Sequence, residues 1–135
     1  MSSVHFKRVG ARVHDASMPV AADEILDFAA SLPETGERDY LEDSTIFTFR
    51  KSGIGLVSGD GHYLFVKSLL SEREVMIASN PYVYSPWWAA GRFGWVRVRL
   101  DSIDVDEACE LVLEAWRLTA PKKLVRAYDE AHPTD

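Results

Sequence analysis

The stretch that decides the fold is residues 94–101, Gly-Trp-Val-Arg-Val-Arg-Leu-Asp. From residue 93 to residue 100 two kinds of side chain alternate, and a period of two is typical of a β-strand. One kind is aliphatic and comprises Val96, Val98 and Leu100. The other kind is aromatic or cationic and comprises Trp95, Arg97 and Arg99. The pattern therefore predicts a strand with one face in the protein core and the other face open.

Three further strands are predicted before this one, at residues 45–50, 54–57 and 62–67. They are rich in β-branched and aromatic residues, and short turns containing glycine join them. Turns of this length require antiparallel pairing. The same alternation assigns a common set of side chains to the open face of the sheet: Arg50, Phe65, Lys67, Trp95, Arg97 and Arg99.

Helical patterns flank these strands. The first helix is predicted at residues 19–32, where apolar residues recur at helical spacing. A second helix is expected to begin with a capping box formed by Ser71 and Glu74. Asp104 is the expected N-cap of a long third helix, which Pro121 ends.

Two segments lack periodicity: residues 33–43 are interpreted as a loop and residues 81–92 as irregular structure. The resulting order, αβββαβα, predicts an α+β fold. We expect a twisted antiparallel sheet of about four to five strands with the helices packed on one face. One domain is assigned to residues 19–130, with an N-terminal extension at 1–18 and a tail at 131–135.

Composition excludes several classes of protein. The 135 residues are 47% hydrophobic and 27% charged, which is typical of a globular chain and not of a disordered one. No window approaches the ~20 apolar residues of a membrane span, and the N-terminus lacks the apolar segment of a secretory signal. Cys109 is the one cysteine, so no internal disulfide can form. A cytoplasmic protein is expected.

No arrangement typical of an enzyme is found in the sequence. The four histidines lie far apart and lack metal-ligand spacing, and there is no nucleophile elbow or phosphate-binding loop. The segment 58–62 holds reactive residue types, but its Gly-Asp-Gly sequence is what a tight hairpin turn requires. Cys109 has no neighbouring cation in sequence, which favours an unreactive thiol. We expect a non-enzymatic protein without a cofactor, and no small-molecule substrate is identified.

The charge pattern permits a basic surface on an acidic protein. The formal net charge is −6, yet residues 44–100 carry seven Lys or Arg and three Asp or Glu. The predicted open face combines cations with aromatic rings, a composition suited to phosphates and stacked bases. One alternative to this open face stays open, in which the loop 81–92 caps Trp95 and the arginines pair with the many carboxylates. DNA is one expected partner, and another protein or a second copy of this chain is the other.

Two other groups of residues also have two interpretations each. Four aromatic residues either cap the edge of the core or form a contact loop: Tyr82, Tyr84, Trp87 and Trp88. The acidic run that begins with Asp23, Glu24 and Asp27 is either a solvated face or a weak site for a hard divalent cation. Trp116 borders the apolar stripe of the third helix and is assigned to the core.

Several pieces of sequence together form a recognisable pattern. They are residues 94–101, Asp104-x-Asp106-Glu107, and residues 110–123, Glu-Leu-Val-x-Glu-Ala-Trp-Arg-Leu-x-Ala-Pro-Lys-Lys. Leu32-Pro33-Glu34 and Lys67 also fit. This pattern resembles the MmcQ/YjbR family, small bacterial proteins with a CyaY-like, frataxin-like fold, and covers about residues 19–128.

The resemblance implies helices on one face of a twisted antiparallel sheet. It also implies DNA binding through a double-wing arrangement of strands, and it brings no catalytic residues. From the frataxin-like fold it implies iron as the cation for the acidic first helix, without assigning ligands. Residues 1–18 precede the usual start of the family.

Overall fold

The computed structural model describes residues 20–133. Its helices are α1 (Val20–Ser31), α2 (Leu70–Ser79), α3 (Val105–Thr119) and α4 (Lys122–Ala131), with 3-10 turns at Leu41–Asp43 and Leu100–Ser102. Its strands are β1 (Thr35–Asp39), β2 (Thr45–Phe49), β3 (Ser52–Val57), β4 (Tyr63–Leu69), β5 (Tyr84–Ala90) and β6 (Phe93–Arg99). The predicted N-terminal extension and the last two residues of the predicted tail lie outside the described residues. None of the helices in the described range has the length and apolar content needed to cross a membrane.

All six strands form one antiparallel sheet in the order β1-β2-β3-β4-β6-β5. The α+β class and the antiparallel sheet are confirmed, with six strands where about four to five were expected. The additional strands are β1 and β5, the two edges of the sheet. They arise from the segments 33–43 and 81–92, so the loop and irregular assignments of those segments are wrong.

Neither edge strand has the alternation that marks a strand in sequence. β1 reads Thr-Gly-Glu-Arg-Asp, and four of its five residues are exposed, so no apolar face identifies it. β5 contains Pro86, and its register with β6 shifts between Pro86 and Ala89, which interrupts the period of two. Both strands form because their backbones pair with a neighbour, which is a property of the sheet rather than of the local sequence.

The core lies between one face of the sheet and the helices. Leu64, Val66, Val96 and Val98 point into it, and each is at most 1% exposed. α1 packs against α3, β1 and β2, whereas α3 packs against β3 and β4. α2 contacts β4, β5 and β6, and its Met76 packs against the core. The aliphatic face predicted for residues 93–100 is therefore the buried one.

Trp116 contacts several of the elements that surround this core. It is fully buried, and its indole N–H donates to the carbonyl of Pro33 at 3.0 Å. Its ring centroid lies 6.2 Å from that of Phe49 and 5.2 Å from that of Tyr128. One side chain of α3 thus contacts the segment after α1, the end of β2 and α4.

One predicted N-cap is confirmed and another is wrong. The carboxylate of Asp104 accepts the backbone N–H of Glu107 at 2.9 Å and caps α3 as expected. The capping box at Ser71 does not form, since α2 begins at Leu70 and its N-cap makes no side-chain hydrogen bond. The reason is that β4 continues directly into α2, where the Leu70 N–H donates to the carbonyl of Arg92 at 2.8 Å.

Asp104→Ala should lower the free energy of unfolding by about 1 kcal/mol, because the N–H of Glu107 loses its acceptor. Asp104→Asn keeps an acceptor oxygen and should cost only a few tenths of a kcal/mol. Urea denaturation of the two variants beside the unmodified protein measures both values. Equal losses in the two variants would assign the stabilisation to the carboxylate charge at the helix N-terminus instead of to the cap.

Hydrogen bonds from side chains stabilise the turn between β3 and β4. The hydroxyl of Ser58 donates to Asp60 Oδ1 at 2.7 Å, and the backbone N–H of His62 donates to the same oxygen at 2.9 Å. Gly61 has a φ of 78°, in the region that favours glycine. Turn geometry therefore accounts for the Gly-Asp-Gly sequence.

Candidate nucleic-acid interface

The sheet face opposite the core carries aromatic and cationic side chains from neighbouring strands. The registers place Phe65 of β4 between Leu56 of β3 and Arg97 of β6. Lys67 of β4 lies opposite Trp95 of β6 in the next row. The open face is hereafter the surface formed by seven residues: Tyr63, Phe65, Lys67, Phe93, Trp95, Arg97 and Arg99.

Trp95 lies beneath two side chains of the edge strand β5. Its ring centroid is 5.6 Å from that of Trp87, at an interplanar angle of 71°, and 5.8 Å from that of Trp88, at 15°. Trp87 and Trp88 themselves are 43% and 48% exposed. The segment 81–92 therefore covers Trp95, as the alternative to a fully open face expected, although a strand rather than a loop covers it. Among these three indoles, Trp87 and Trp88 are therefore the exposed ones.

The two tyrosines of the same segment have different surroundings. Tyr84 packs against the core, and burial, followed by the negative charge of Glu107, raises the pKa of its hydroxyl. Tyr82 is 66% exposed, and its ring centroid lies 4.6 Å from the Arg99 guanidinium. Tyr84 therefore caps the edge of the core, and the contact role of the exposed aromatic residues stays a prediction.

Arg97 and Arg99 lie beside aromatic rings, and Arg99 also lies near the carboxylate of Asp101. The Arg97 guanidinium is 4.7 Å from the Tyr63 ring centroid, and its Nε donates to the Ser85 hydroxyl at 3.1 Å. Arg99 is 5.8 Å from the same ring, and its Nε lies 3.9 Å from a carboxylate oxygen of the exposed Asp101. Within the described part of the chain, no carboxylate oxygen lies within 4.0 Å of Arg97. Both cations can therefore contact an incoming anion.

Arg50 does not point to the open face, contrary to the prediction. It follows β2 in a left-handed conformation with a φ of 55°, and this ends the alternation of the strand. Its guanidinium lies 4.8 Å from the ring centroid of the buried Phe49 and forms an ion pair with Glu34 at 2.7 Å. The hydrogen bond from Arg50 lowers the pKa of Glu34. Thr48, two residues before Arg50, is buried next to a register shift in β2.

Lys67 is a half-buried cation and not a surface lysine. The pairing of β3 with β4 ends one residue before it, so its side chain lies where the two strands separate. Its Nζ donates to the hydroxyl of Thr119, in the last turn of α3, at 2.9 Å, and lies 4.4 Å from the ring centroid of Phe93. Burial, and then the positive charge of Arg92, lower the pKa of the Lys67 ammonium.

A cavity of about 430 Å³ opens on the open face beside Lys67. We call it the open-face cavity. Its apolar walls come from β2, β3, β5 and β6: Ile46, Leu56, Trp87, Trp88, Phe93 and Trp95. Gly53 and Gly55 line it as well. A Cβ on Gly53 would have one heavy-atom neighbour within 4 Å, so the space above this residue is empty because it has no side chain.

The other candidate groups lie elsewhere. Asp23, Glu24 and Asp27 belong to α1, and within the described residues no three His, Cys, Asp or Glu side chains form a group that could hold a metal ion. Cys109 on α3 is partly buried. Burial, with the charges of Asp106 and Glu24, raises the pKa of its thiol to about 11. The thiol is therefore protonated at neutral pH, as expected of an unreactive cysteine.

Sequence reasoning missed two residues of the open face, Tyr63 and Phe93. Each lies two positions from a residue that was assigned to this face, Phe65 or Trp95. Extending the period of two by one step at the ends of these strands would have included both.

Comparison with known proteins identifies a fold. No protein-family model and no curated protein sequence matches this chain. Among solved structures, the chain is similar to the Deinococcus radiodurans protein DR2400, a DUF419 domain, with a TM-score of 0.63. The two are 19% identical, and the match covers 81% of this chain and 85% of that one. At this identity the similarity concerns the fold alone.

Proposed function

We propose that this protein is a non-enzymatic binder of single-stranded nucleic acid, DNA in particular, that uses the open face. The observation that carries the proposal is the position of Arg97 over the Tyr63 ring, with no carboxylate of the described residues within 4.0 Å. Guanidinium groups donate hydrogen bonds to phosphate oxygens, and aromatic rings accept stacked bases. Arg99 supplies a second guanidinium two residues along the same strand.

Single strands suit this surface better than a duplex for two physical reasons. The formal net charge of −6 opposes approach to a duplex, whose phosphates are more densely spaced than those of a single strand. The exposed rings of Trp87 and Trp88 also need unpaired bases for stacking, because duplex bases are already stacked on each other.

The resemblance to the MmcQ/YjbR family supports the proposal. We propose that the α+β sandwich is of the CyaY-like, YjbR-like type, and the similarity to the DUF419 domain of DR2400 agrees with that description. A cytoplasmic location belongs to the same proposal, since a chain with one cysteine needs no oxidising compartment to fold.

Fluorescence anisotropy with labelled oligothymidylate, and with a duplex of equal length, tests the proposal at low salt. We expect saturable binding of the single strand and weaker binding of the duplex. The logarithm of the association constant should fall with the logarithm of salt concentration by about 0.7 for each phosphate contacted. Absence of binding to both oligonucleotides, or binding that does not change with salt, would reject it.

A second candidate function is self-association through the edge strand β5. Five of its seven residues are exposed, and Trp87 and Trp88 are among them. An exposed strand edge with apolar side chains can pair with the same edge of a second copy. Light scattering decides between the states: a dimer that Trp88→Glu dissociates supports self-association, and a monomer at every concentration rejects it.

A further inference from the structure

We propose that the open-face cavity binds a small aromatic monocarboxylate, with the Lys67 ammonium as its counterion at the inner end. This inference does not depend on nucleic-acid binding, because it concerns the cavity beneath Trp87 and Trp88 rather than the arginines beside it.

The dimensions and lining of the cavity are those of a small-molecule site. Its volume of about 430 Å³ falls within the range of about 300–1,000 Å³ that ligand pockets occupy. Three indole rings, Trp87, Trp88 and Trp95, line it together with Phe93. Flat aromatic ligands bind to such walls by offset or edge-to-face contacts between rings.

The cavity holds one ammonium group without a counterion. Lys67 lines the cavity, and within the described part of the chain no carboxylate oxygen lies within 4.0 Å of its Nζ. Of its three N–H donors, the structure assigns one to Thr119. A carboxylate would accept from the others and offset the cost of burying the charge. Lys67 is the one charged side chain among the described residues that line the cavity, so a monocarboxylate matches the lining better than a dianion.

The position of the ammonium distinguishes a free ligand from a nucleic-acid strand. Lys67 Nζ donates to the hydroxyl of Thr119, which belongs to α3, a helix on the core side. The anionic group of a ligand must therefore enter first, while its aromatic body stays between the tryptophans nearer the surface. A polynucleotide would be oriented the other way. Its bases can enter a cavity, but its phosphates stay on the backbone outside, away from the Lys67 ammonium.

Two substitutions test separately the contribution of the Lys67 charge and the need for an empty cavity. Lys67→Met removes the ammonium and keeps a long, flexible side chain. Gly53→Val fills the cavity, because a Cβ at this position has one heavy-atom neighbour within 4 Å, a side-chain carbon of Ile46 at 3.8 Å. Gly55 is unsuitable for this purpose, since a Cβ there would collide with the ring of Phe47. Lys123→Met removes an exposed lysine of α4 and serves as the matched control.

The test is a nuclear magnetic resonance titration of the full chain with 2-naphthoate and, separately, with 2-naphthamide. The indole N–H signals of Trp87, Trp88 and Trp95 should shift in a saturable way, while that of the core residue Trp116 should not. The acid should bind about tenfold more tightly than the amide, which is the size of effect expected for one charge-assisted contact.

The variants then show whether the two compounds bind in the open-face cavity and whether Lys67 causes the preference for the acid. Lys67→Met should remove the preference for the acid over the amide, and Lys123→Met should change neither affinity. Gly53→Val should abolish binding of both compounds. Equal affinities for acid and amide in the unmodified protein, shifts confined to other signals, or no saturation at millimolar ligand would overturn the proposal. These readouts come from the unmodified protein, so they decide the question even if a variant fails to fold.

Discussion

Trp116→Ala is expected to lower the free energy of unfolding by about 3–5 kcal/mol. The side chain is fully buried, so its removal leaves a cavity between α3, β2 and α4. It also leaves the Pro33 carbonyl without the indole donor at 3.0 Å. Since a domain of this kind is stable by about 5–15 kcal/mol in total, the variant should be partly unfolded at 37 °C or below, and urea denaturation measures the loss.

Two other tryptophan variants serve as controls for that result. Trp116→Phe keeps most of the volume and removes the hydrogen bond, so its cost should be smaller, about 1–3 kcal/mol. Trp88→Ala removes a ring that is 48% exposed and should cost less than about 1 kcal/mol. If Trp116→Ala were no more destabilising than Trp88→Ala, Trp116 would not be the central side chain of the core.

The double variant Arg97→Gln/Arg99→Gln should bind oligothymidylate about a hundredfold more weakly than the unmodified protein at low salt. Each guanidinium contributes about one charge-assisted hydrogen bond to phosphate, and each such contact is worth about tenfold in affinity. The slope of the salt dependence should also decrease by about 1.4, which corresponds to two phosphate contacts on a single strand. Anisotropy titrations at several salt concentrations measure both quantities.

The matched control for this variant is Lys122→Gln/Arg126→Gln on α4. It removes the same two positive charges from exposed positions on a helix outside the sheet. If the two double variants weaken binding equally, the net charge of the protein determines affinity and the open face has no special role. Thermal unfolding of both variants checks that the loss of the contact between Arg97 and Ser85 has not disturbed the pairing of β5 with β6.

Much of the central sheet and the helices could be predicted from local patterns. The alternation in residues 93–100 placed Val96 and Val98 in the core and Trp95 and Arg97 opposite them, because side chains on a strand necessarily alternate between two faces. The apolar stripe of α3 placed Trp116 in the core for the equivalent helical reason. These predictions succeeded where a continuous element packs one whole face against the core.

The candidate site was only partly predictable, because a strand or a strand pairing ends next to two of the predicted residues. Arg50 was assigned to the open face because the period of two was extended past the end of β2, where a positive φ reverses the direction of the side chain. Lys67 was assigned correctly to its face, but the parting of β3 from β4, which lets it reach Thr119, has no signature in the sequence.

By itself, the sequence determined which residues face the core and which face outward on the central strands and the long helices, because burial of apolar surface selects one side of each element. Only the tertiary structure decided which segments form the edge strands of the sheet. There, β1 and β5 form by backbone pairing with a neighbour, and β5 brings Trp87 and Trp88 over Trp95. Backbone hydrogen bonds do not depend on side-chain identity, so a strand held by them alone leaves little trace in the order of its amino acids.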